Sequence, residues 1–336
     1  MNKTVLVTGA SGFIAGHCIL DLLNAGYNVR GTVRDLSRAP AIRETLARHN
    51  ARAADIEFVT ADLMDADSWR EAVTGCDGVY HVASPVPVIQ PKNPDEVIVP
   101  AREGTLNLLG AAREAGIQRV VLTSSTASVF SNSRESGVFT GSDWTDLTKK
   151  DLSPYIRSKT VAERAAWDFV EGGGPELAVV NPGLVMGPAL ESDYGSSLEV
   201  LVKLLRGDFP FLPRLGFECV DVRDVASLHR LALETPEAVG QRFLCANGFW
   251  WLKDIAQALK ADFPAFRISS REMPDFLVRV ASLFIKEIEQ FADDVGRVKK
   301  VDNAPARSIG WQPRDIEVAI RDGAQSLIDL GIVKAG

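Results

Sequence analysis

Tyr155 and Lys159 stand one helical turn apart in the run Tyr155-Ile156-Arg157-Ser158-Lys159. On a helix they share a face, so a phenol and an ammonium come within reach of one another. A free phenol has a pKa of about 10 and exchanges protons poorly near neutrality. A neighbouring ammonium favours the phenolate and lowers that pKa. The pair therefore reads as a proton donor with its activator. The same spacing also arises by chance, as a packed tyrosine beside a solvated lysine, so its meaning depends on what precedes it.

What precedes it is Thr4-Val5-Leu6-Val7-Thr8-Gly9-Ala10-Ser11-Gly12-Phe13-Ile14-Ala15, an apolar strand running into a glycine-rich turn. Gly9 lets the chain turn tightly, and Gly12 leaves room for a pyrophosphate to approach the backbone. Ala15, with Gly16 beside it, takes the third small position of this fingerprint. Ile14, Cys18 and Leu22 recur at helical spacing, with Ile19 and Leu23 beside them, so a helix with one buried face follows. Its N-terminus aims free N–H groups and a positive dipole end at an anion. A nucleotide cradle followed by a proton donor predicts a dinucleotide-dependent oxidoreductase.

The elements between these two features have to bring them together. Residues 29–33, 56–60, 78–82 and 119–124 read as short strands, with helical segments such as 67–73 and 95–115 between them. Alternating strands and helices imply βαβ units, a parallel sheet buried on both faces and a doubly wound fold. Residues 131–150 are polar and rich in Ser, Thr and Gly, a long loop. Ser153-Pro154 is a good N-cap followed by a first helical proline. That helix runs to about Glu171, where Gly172-Gly173-Gly174-Pro175 ends it, and residues 176–181 return to the sheet. Residues 220–226 read as a strand leading into a helix, and the remainder as mostly helical to residues 315–330. The expected division is a dinucleotide-binding domain over 1–183, joined again by segments of 216–246, with 184–336 mainly a substrate-binding lobe.

Composition is compatible with this. A chain of 336 residues suits one large α/β domain plus a smaller lobe, and 46% apolar residues supply its core. A net charge of −7 and a pI near 5.3 argue against a nucleic-acid or anionic-membrane surface. Cys18, Cys76, Cys219 and Cys245 are scattered without a CxxC pair, as core thiols in a reducing compartment are. His17, His49, His81 and His229 lack metal-ligand spacing, and no metal is expected. The first apolar run breaks at Gly9, unlike a signal peptide. Residues 276–285 are apolar but too short to span a bilayer and include Arg279. A cytoplasmic protein is the expectation.

The chain resembles the extended short-chain dehydrogenase/reductase superfamily over nearly its whole length. The resemblance rests on Gly9–Ala15, Ala61-Asp62-Leu63, Val82-Ala83-Ser84, Leu122-Thr123-Ser124-Ser125, Tyr155–Lys159, Asn181-Pro182-Gly183 and 221–226. Within it the sequence is similar to the dihydroflavonol-reductase-like branch, and most to its microbial NADPH-dependent aldehyde/carbonyl reductases. Gly12-Phe13-Ile14-Ala15, Val33-Arg34, and Glu163 with Ala165-Ala166-Trp167 carry that closer similarity.

The resemblance implies a Rossmann-type doubly wound sheet with a smaller, mostly helical C-terminal lobe, and a reduction of aldehydes or ketones. Tyr155 would protonate the carbonyl oxygen. Lys159 would tune Tyr155 and hold the nicotinamide ribose. Ser125 would orient the substrate oxygen, with Ser124 nearer the nicotinamide and Thr126 a weaker candidate. Gly9, Ser11, Gly12, Phe13 and Ile14 would hold the pyrophosphate, and Val82, Ala83 and Ser84 the path to the ribose. Asp62 and Leu63 would flank the adenine. Pro182, Gly183 and Val185 would border the nicotinamide, and Thr123 would be a further cofactor contact. NAD-dependent relatives place an acid after the second strand. Here Val33 and Arg34 stand there, with Arg38 beyond, and two guanidiniums suit the 2′-phosphate of NADP(H). Asp35 is the residue that could serve a ribose hydroxyl instead. Val86, Phe130 and Leu184 are candidate walls for a small apolar carbonyl substrate. A nucleotide-sugar epimerase or dehydratase, a hydroxysteroid dehydrogenase and a non-catalytic NADPH sensor are the other readings. Monomer and homodimer both stay open.

Overall fold

The computed structural model describes residues 3–86, 91, 93–282 and 294–335. Apolar strands alternate with helices from the first residues onward. The strands are β1 (Thr4–Val7), β2 (Asn28–Val33), β3 (Glu57–Thr60), β4 (Gly78–His81), β5 (Arg119–Thr123), β6 (Gly137–Phe139), β7 (Glu176–Pro182), β8 (Leu184–Met186), β9 (Gly216–Asp221), β10 (Arg242–Cys245), β11 (Phe249–Trp251) and β12 (Lys299–Val301). Seven of them form one sheet in the order β10-β7-β5-β4-β1-β2-β3, every pair parallel. Strand order reverses between β1 and β4. A crevice opens outside the carboxyl ends of such strands, and ligands bind there.

Helices α1 (Phe13–Asn24), α2 (Ala39–Ala47), α3 (Ala66–Val73), α4 (Asp95–Glu114), α5 (Pro154–Glu171), α6 (Glu199–Arg206), α7 (Val222–Glu234) and α8 (Leu252–Asp262) pack around this frame. Successive strand residues face opposite sides, so a continuous apolar run feeds two cores. Val5, Val7, Val121 and Val180 join Cys18, Ile19 and Leu22 of α1 and Val225 and Leu228 of α7. Leu6, Val120, Leu122 and Val179 join Trp69 of α3, Leu108 and Leu109 of α4 and Ala166 of α5. Each fully buried side chain of this size contributes roughly 1.5–3 kcal/mol over its exposed state.

The chain after β8 builds a smaller part. β8 and β9 pair in parallel and β11 joins β9 antiparallel. Their core is Met186, Leu201, Leu205 and Ile255 with Ile320 and Leu327 of the helix Ile316–Asp329. Within 216–246, only β10 returns to the large sheet, while β9 belongs to the small one. The approach to the last helix is fastened to α7: Trp311 Nε1 donates to the Asp224 carbonyl at 2.8 Å, and the Arg314 amide to its carboxylate at 2.6 Å. Among the described residues no helix is long and apolar enough to cross a membrane. Of the stretch 276–285, the last three residues lie outside the described ones. The four cysteines are free, three of them buried, and among the described residues no three potential metal ligands gather.

The expected strands and helices of the first half appear within a residue of their ends. Two segments differ. The polar loop 131–150 contains β6, which pairs in parallel with β12 from far along the chain. The stretch after α7 adds β10, β11 and β12 between its helices. These strands are short, and each owes its conformation to a partner distant in sequence rather than to its own pattern.

One buried cluster ties the reactive edge together. Glu163, on the face of α5 one turn beyond Lys159, has a fully buried side chain. Its carboxylate accepts from Ser124 Oγ (2.5 Å), Ser128 Oγ (2.6 Å), Asn181 Nδ2 (2.8 Å) and Arg242 Nε (2.5 Å). Arg242 also donates to the carbonyls of Gly141 and Asp143 at 2.6 and 2.7 Å and lies 3.7 Å from the Trp144 ring centroid. The ends of β5 and β7, the start of β10, α5 and the loop after β5 therefore meet on one ion pair. Glu163→Ala would leave the Arg242 guanidinium buried without its carboxylate. The expected loss is about 3–5 kcal/mol, read from denaturant unfolding; a loss below about 1 kcal/mol would mean that the cluster is not the anchor. Gly183 separates β7 from β8, and a Cβ there would come within 2.1 Å of the Glu218 carbonyl oxygen. Gly183→Ala is expected to cost about 1–3 kcal/mol through backbone displacement, visible as a lower urea midpoint with an unchanged slope.

Candidate active site

Ser125, Tyr155 and Lys159 come together at the carboxyl edge of the sheet. Ser125 follows β5 and N-caps the one-turn helix Thr126–Ser128, its Oγ accepting from the Ala127 amide at 3.2 Å. Tyr155 lies in the first turn of α5, which Ser153 caps by accepting from the Ile156 amide. The Ser125 hydroxyl lies near enough to the Tyr155 phenol to bear on its protonation. Lys159 is buried, and its Nζ lies 6.0 Å from the centre of the Tyr155 ring.

The electrostatics differ from the simple expectation of an ammonium lowering a phenol. Burial raises the Tyr155 pKa above its ordinary value, and the Ser125 hydroxyl opposes that rise. Among the described residues no hydrogen bond joins Lys159 to the phenol, so desolvation wins. The Lys159 ammonium is itself pushed down to about 8 by burial, with the Glu163 carboxylate opposing. At neutral pH the pair is a neutral phenol beside a largely charged ammonium.

The neighbouring hydroxyls point elsewhere. Ser124 turns its Oγ to Glu163, and Thr123 Oγ1 pairs with His229 Nε2 at 2.7 Å. Thr126 is buried. Only Ser125 of this run faces Tyr155. Asn181 donates to the Ser125 carbonyl at 3.3 Å as well as to Glu163.

The glycine turn has the form of an anion cradle. Gly9 has φ +67°, and a Cβ there would press on Ala83 at 3.1 Å. Gly12 caps α1 without any side-chain acceptor, and the first turn carries no acid. The amides of the first turn have no intrahelical acceptor, so Phe13 and Ile14 can offer theirs to a phosphate. Ser11, Gly12 and Phe13 line a cavity whose far side is Leu190, Glu191 and Asp193. The close turn at Gly9 and the uncapped start of α1 fit a dinucleotide pyrophosphate, while the cavity beside them, about 20 Å³, has room for about one water.

The amides of Val82 and Ala83 are committed within the protein: both donate to Thr8 Oγ1 at 2.9 Å. Thr8 Oγ1 also lies 3.1 Å from His81 Nδ1. With its lone pairs occupied, the hydroxyl donates to Nδ1, which puts the imidazole proton on Nε2. Burial, and then the charge of Lys159, push the His81 pKa down to about 3, so the ring stays neutral. Ser84, half-buried, continues from this knot toward the crevice.

Arg34 and Arg38, the expected 2′-phosphate contacts, are exposed just beyond β2. Asp35 is occupied: it caps the turn Leu36–Arg38 by accepting from the Ser37 amide (2.9 Å) and hydroxyl (2.6 Å). Those bonds hold its carboxyl below the usual range. Asp62 accepts from the Met64 amide at 2.8 Å, and Leu63 packs over Gly104 of α4, where any Cβ would collide with it. Of the residues expected to border the nicotinamide, Pro182 ends β7 and Gly183 passes under Glu218, while the Val185 side chain is buried in the core beneath. Of the substrate candidates, Val86 is 47% exposed. Phe130 is half-buried and stacks edge-on with Phe139 at 5.1 Å. Leu184 packs against the core of the C-terminal part.

Three residues of the site carry roles that sequence reasoning missed. Thr8 could be suspected only as a hydroxyl immediately before the glycine turn. The carboxylate of Glu163 shares the Lys159 face of α5, a legible spacing. Arg242 gave no signal, since its partner lies in another element.

The sequence profile of the NAD dependent epimerase/dehydratase family matches residues 5–246. Cinnamoyl-CoA reductase 1 of Petunia hybrida is 39% identical over 276 residues, covering 80% of each chain. Dihydroflavonol 4-reductase of Zea mays is 32% identical over 275 residues, covering 80% of this chain and 76% of that one. The crystal structure of yeast methylglyoxal/isovaleraldehyde reductase complexed with NADPH superposes with a TM-score of 0.82 at 27% identity, covering 98% of this chain and 100% of that one. The chain belongs to the NAD-dependent epimerase/dehydratase family of extended short-chain dehydrogenase/reductases, in the branch of the dihydroflavonol and cinnamoyl-CoA reductases, and is an NAD(P)-dependent oxidoreductase.

Proposed function

We propose that the protein is a cytoplasmic, NADPH-dependent carbonyl reductase that converts hydrophobic aldehydes and ketones to alcohols. The observation that carries this reading is the meeting of Ser125, Tyr155 and Lys159 beside an anion cradle whose adenosine end bears Arg34 and Arg38. The relatives support it. The plant relatives are a cinnamoyl-CoA reductase and a dihydroflavonol reductase, and the yeast structure is a methylglyoxal/isovaleraldehyde reductase in complex with NADPH.

The bound reduced nicotinamide supplies hydride to the carbonyl carbon. The protein's part is to hold and move a proton. Burial keeps the Tyr155 phenol protonated at neutral pH, the state a donor needs when a carbonyl oxygen takes on negative charge. The Ser125 hydroxyl, fixed at the start of its one-turn helix, can hydrogen-bond the same oxygen and stabilise it as charge develops. Lys159 supplies a fixed positive charge beneath, aimed at the ribose. Arg34 and Arg38 hold the 2′-phosphate, and Asp35 does not compete because it is spent on its own cap. Gly9, Ser11, Gly12, Phe13 and Ile14 cradle the pyrophosphate, Asp62 and Leu63 bound the adenine, and Val82 to Ser84 shape the path between them. Pro182, Gly183 and Val185 form the floor under the nicotinamide.

In this reading residues 1–183 together with β10 bind the dinucleotide, and the rest of the chain mainly shapes the substrate pocket. Val86, Phe130 and Leu184 give that pocket an apolar wall. Nucleotide-sugar epimerases need contacts to a second diphosphate, and the arginine pair at β2 suits a phosphorylated ribose instead. Free cysteines fit a reducing cytoplasm.

Tyr155→Phe removes only the hydroxyl. Severe loss of kcat with nearly unchanged nucleotide affinity is expected, whereas Lys159→Ala damages both; near-normal turnover by Tyr155→Phe would overturn the donor assignment. The Lys159 ammonium loses its proton as pH rises through about 8. Nucleotide binding should therefore weaken on the alkaline side of that value, and Lys159→Met should flatten the profile. A guanidinium–phosphate hydrogen bond is worth roughly 1.5–3 kcal/mol, so Arg34→Ala should cost about tenfold or more in preference for NADPH over NADH. A carbonyl panel followed by reduced-nicotinamide absorbance tests the whole: rapid turnover of a nucleotide-sugar, with no hydrophobic carbonyl reduced, would make the chain an epimerase.

A further inference from the structure

The cavity at the glycine turn has an outer wall that the sheet does not supply. Residues 187–195 leave β8 and run back over the N-terminus of α1. His17 Nε2 donates to the Pro188 carbonyl at 2.9 Å, and the Ala189 amide donates to Ser326 Oγ at 2.8 Å. Leu190 fills the space over Gly16, where a Cβ would come within 2.9 Å of its Cδ1. Gly195, at φ +74°, rests against Phe13. This segment is fixed at both ends, and its Glu191 and Asp193 stand at the cavity that Ser11, Gly12 and Phe13 also line.

Glu191 reaches across to the adenosine end. Its Oε1 lies 3.8 Å from Arg38 Nη2, with Arg38 half exposed and Glu191 about a quarter exposed. Among the described residues Arg34 makes no such pair. Burial pushes the Glu191 carboxyl up from its usual range, Arg38 pulls it down, and Asp193 adds to the rise.

We propose that Glu191 is a specificity-determining residue that competes with the nucleotide 2′-phosphate for the Arg38 guanidinium and so limits the preference for NADP(H). The inference rests on the assignment of Arg38 to the 2′-phosphate. Two effects act in the same direction. At 3.8 Å the pair is an ion pair without a hydrogen bond, and the carboxylate offsets part of the guanidinium charge that a phosphate would use. It also repels a phosphate held by the same arginine. The 2′-hydroxyl of NAD carries no charge and meets neither penalty. A half-exposed pair is a weak one, so the effect is about two- to fivefold. The gain for the protein is release of the oxidised, phosphorylated nucleotide after each turnover. Asp193, exposed beside the same cavity, makes no ion pair with Arg38 among the described residues, so its charge bears on both nucleotides alike.

The test is binding of NADP+, NAD+ and 2′,5′-ADP to the full chain by titration calorimetry. Glu191→Gln is expected to tighten NADP+ and 2′,5′-ADP two- to fivefold and leave NAD+ unchanged. Arg38→Ala is expected to abolish that gain in the double variant. Asp193→Asn is expected to shift NADP+ and NAD+ equally. Equal tightening of NAD+ and NADP+ by Glu191→Gln, weaker NADP+ binding, or a gain that persists without Arg38 would each overturn the proposal alone. Equal affinity of the unsubstituted protein for NADP+ and NAD+, indifferent to Arg38→Ala, would overturn the cofactor reading and this proposal with it.

Discussion

The buried ion pair between Glu163 and Arg242 is the constraint on which the reactive edge depends. A carboxylate without solvent must find partners for its lone pairs, and Glu163 finds four. Each partner lies on a different part of the frame: the end of β5, the helix after it, the end of β7 and the edge strand β10. Meeting that demand brings α5 against the β5 edge in one register. Ser125 follows Ser124 directly, and Lys159 stands one turn before Glu163, so both side chains inherit their positions from this buried carboxylate. The negative charge also opposes the desolvation of Lys159, which keeps an ammonium tenable in a buried place.

A second knot does the same for the dinucleotide half. Thr8 follows β1 and holds the amides of Val82 and Ala83, so the two strands at the switch point are spliced just where the crevice opens. Gly9 then has to approach Ala83 closely, and only a residue without a Cβ can do so at a positive φ. The glycine therefore serves the join between strands as much as the approach of a phosphate. The two purposes coincide because the place where strand order reverses is also the place where free helix amides face outward.

Most of the parallel sheet was legible because its signals are local. Val5 to Val7 are apolar without interruption, and Ser153-Pro154 and Gly172 to Gly174 mark both ends of α5. Ser125, Tyr155 and Lys159 were legible as types at known spacings, but their electrostatics were not. Spacing suggests an ammonium that acidifies a phenol; the fold buries the phenol and raises its pKa instead. β6 and β12 escaped because neither sequence is strand-like alone, and each is completed only by the other. Val82, Ala83 and Ser124 were placed at the cofactor by position along the chain. Their amides and hydroxyl are bonded inward to Thr8 and Glu163, which no one-dimensional pattern reveals.

The pocket inherits its character from how the second lobe is attached. β8 follows β7 after the single residue Gly183, so the chain leaves the catalytic sheet and enters the smaller one with almost no slack. The Glu218 carbonyl presses on that glycine, and the Glu218 carboxyl, lifted to about 7 by burial, accepts from the Val301 amide at 3.2 Å. β9 is thereby joined to β12, and β12 to β6, which descends from the loop after Ser125. The wall that carries Phe130 and Phe139 is thus coupled to the floor under Gly183 through a closed ring of strands. A shift of β9 or β12 is therefore felt both at Phe130 and at Gly183, whereas a change in a loop outside these strands leaves their spacing alone.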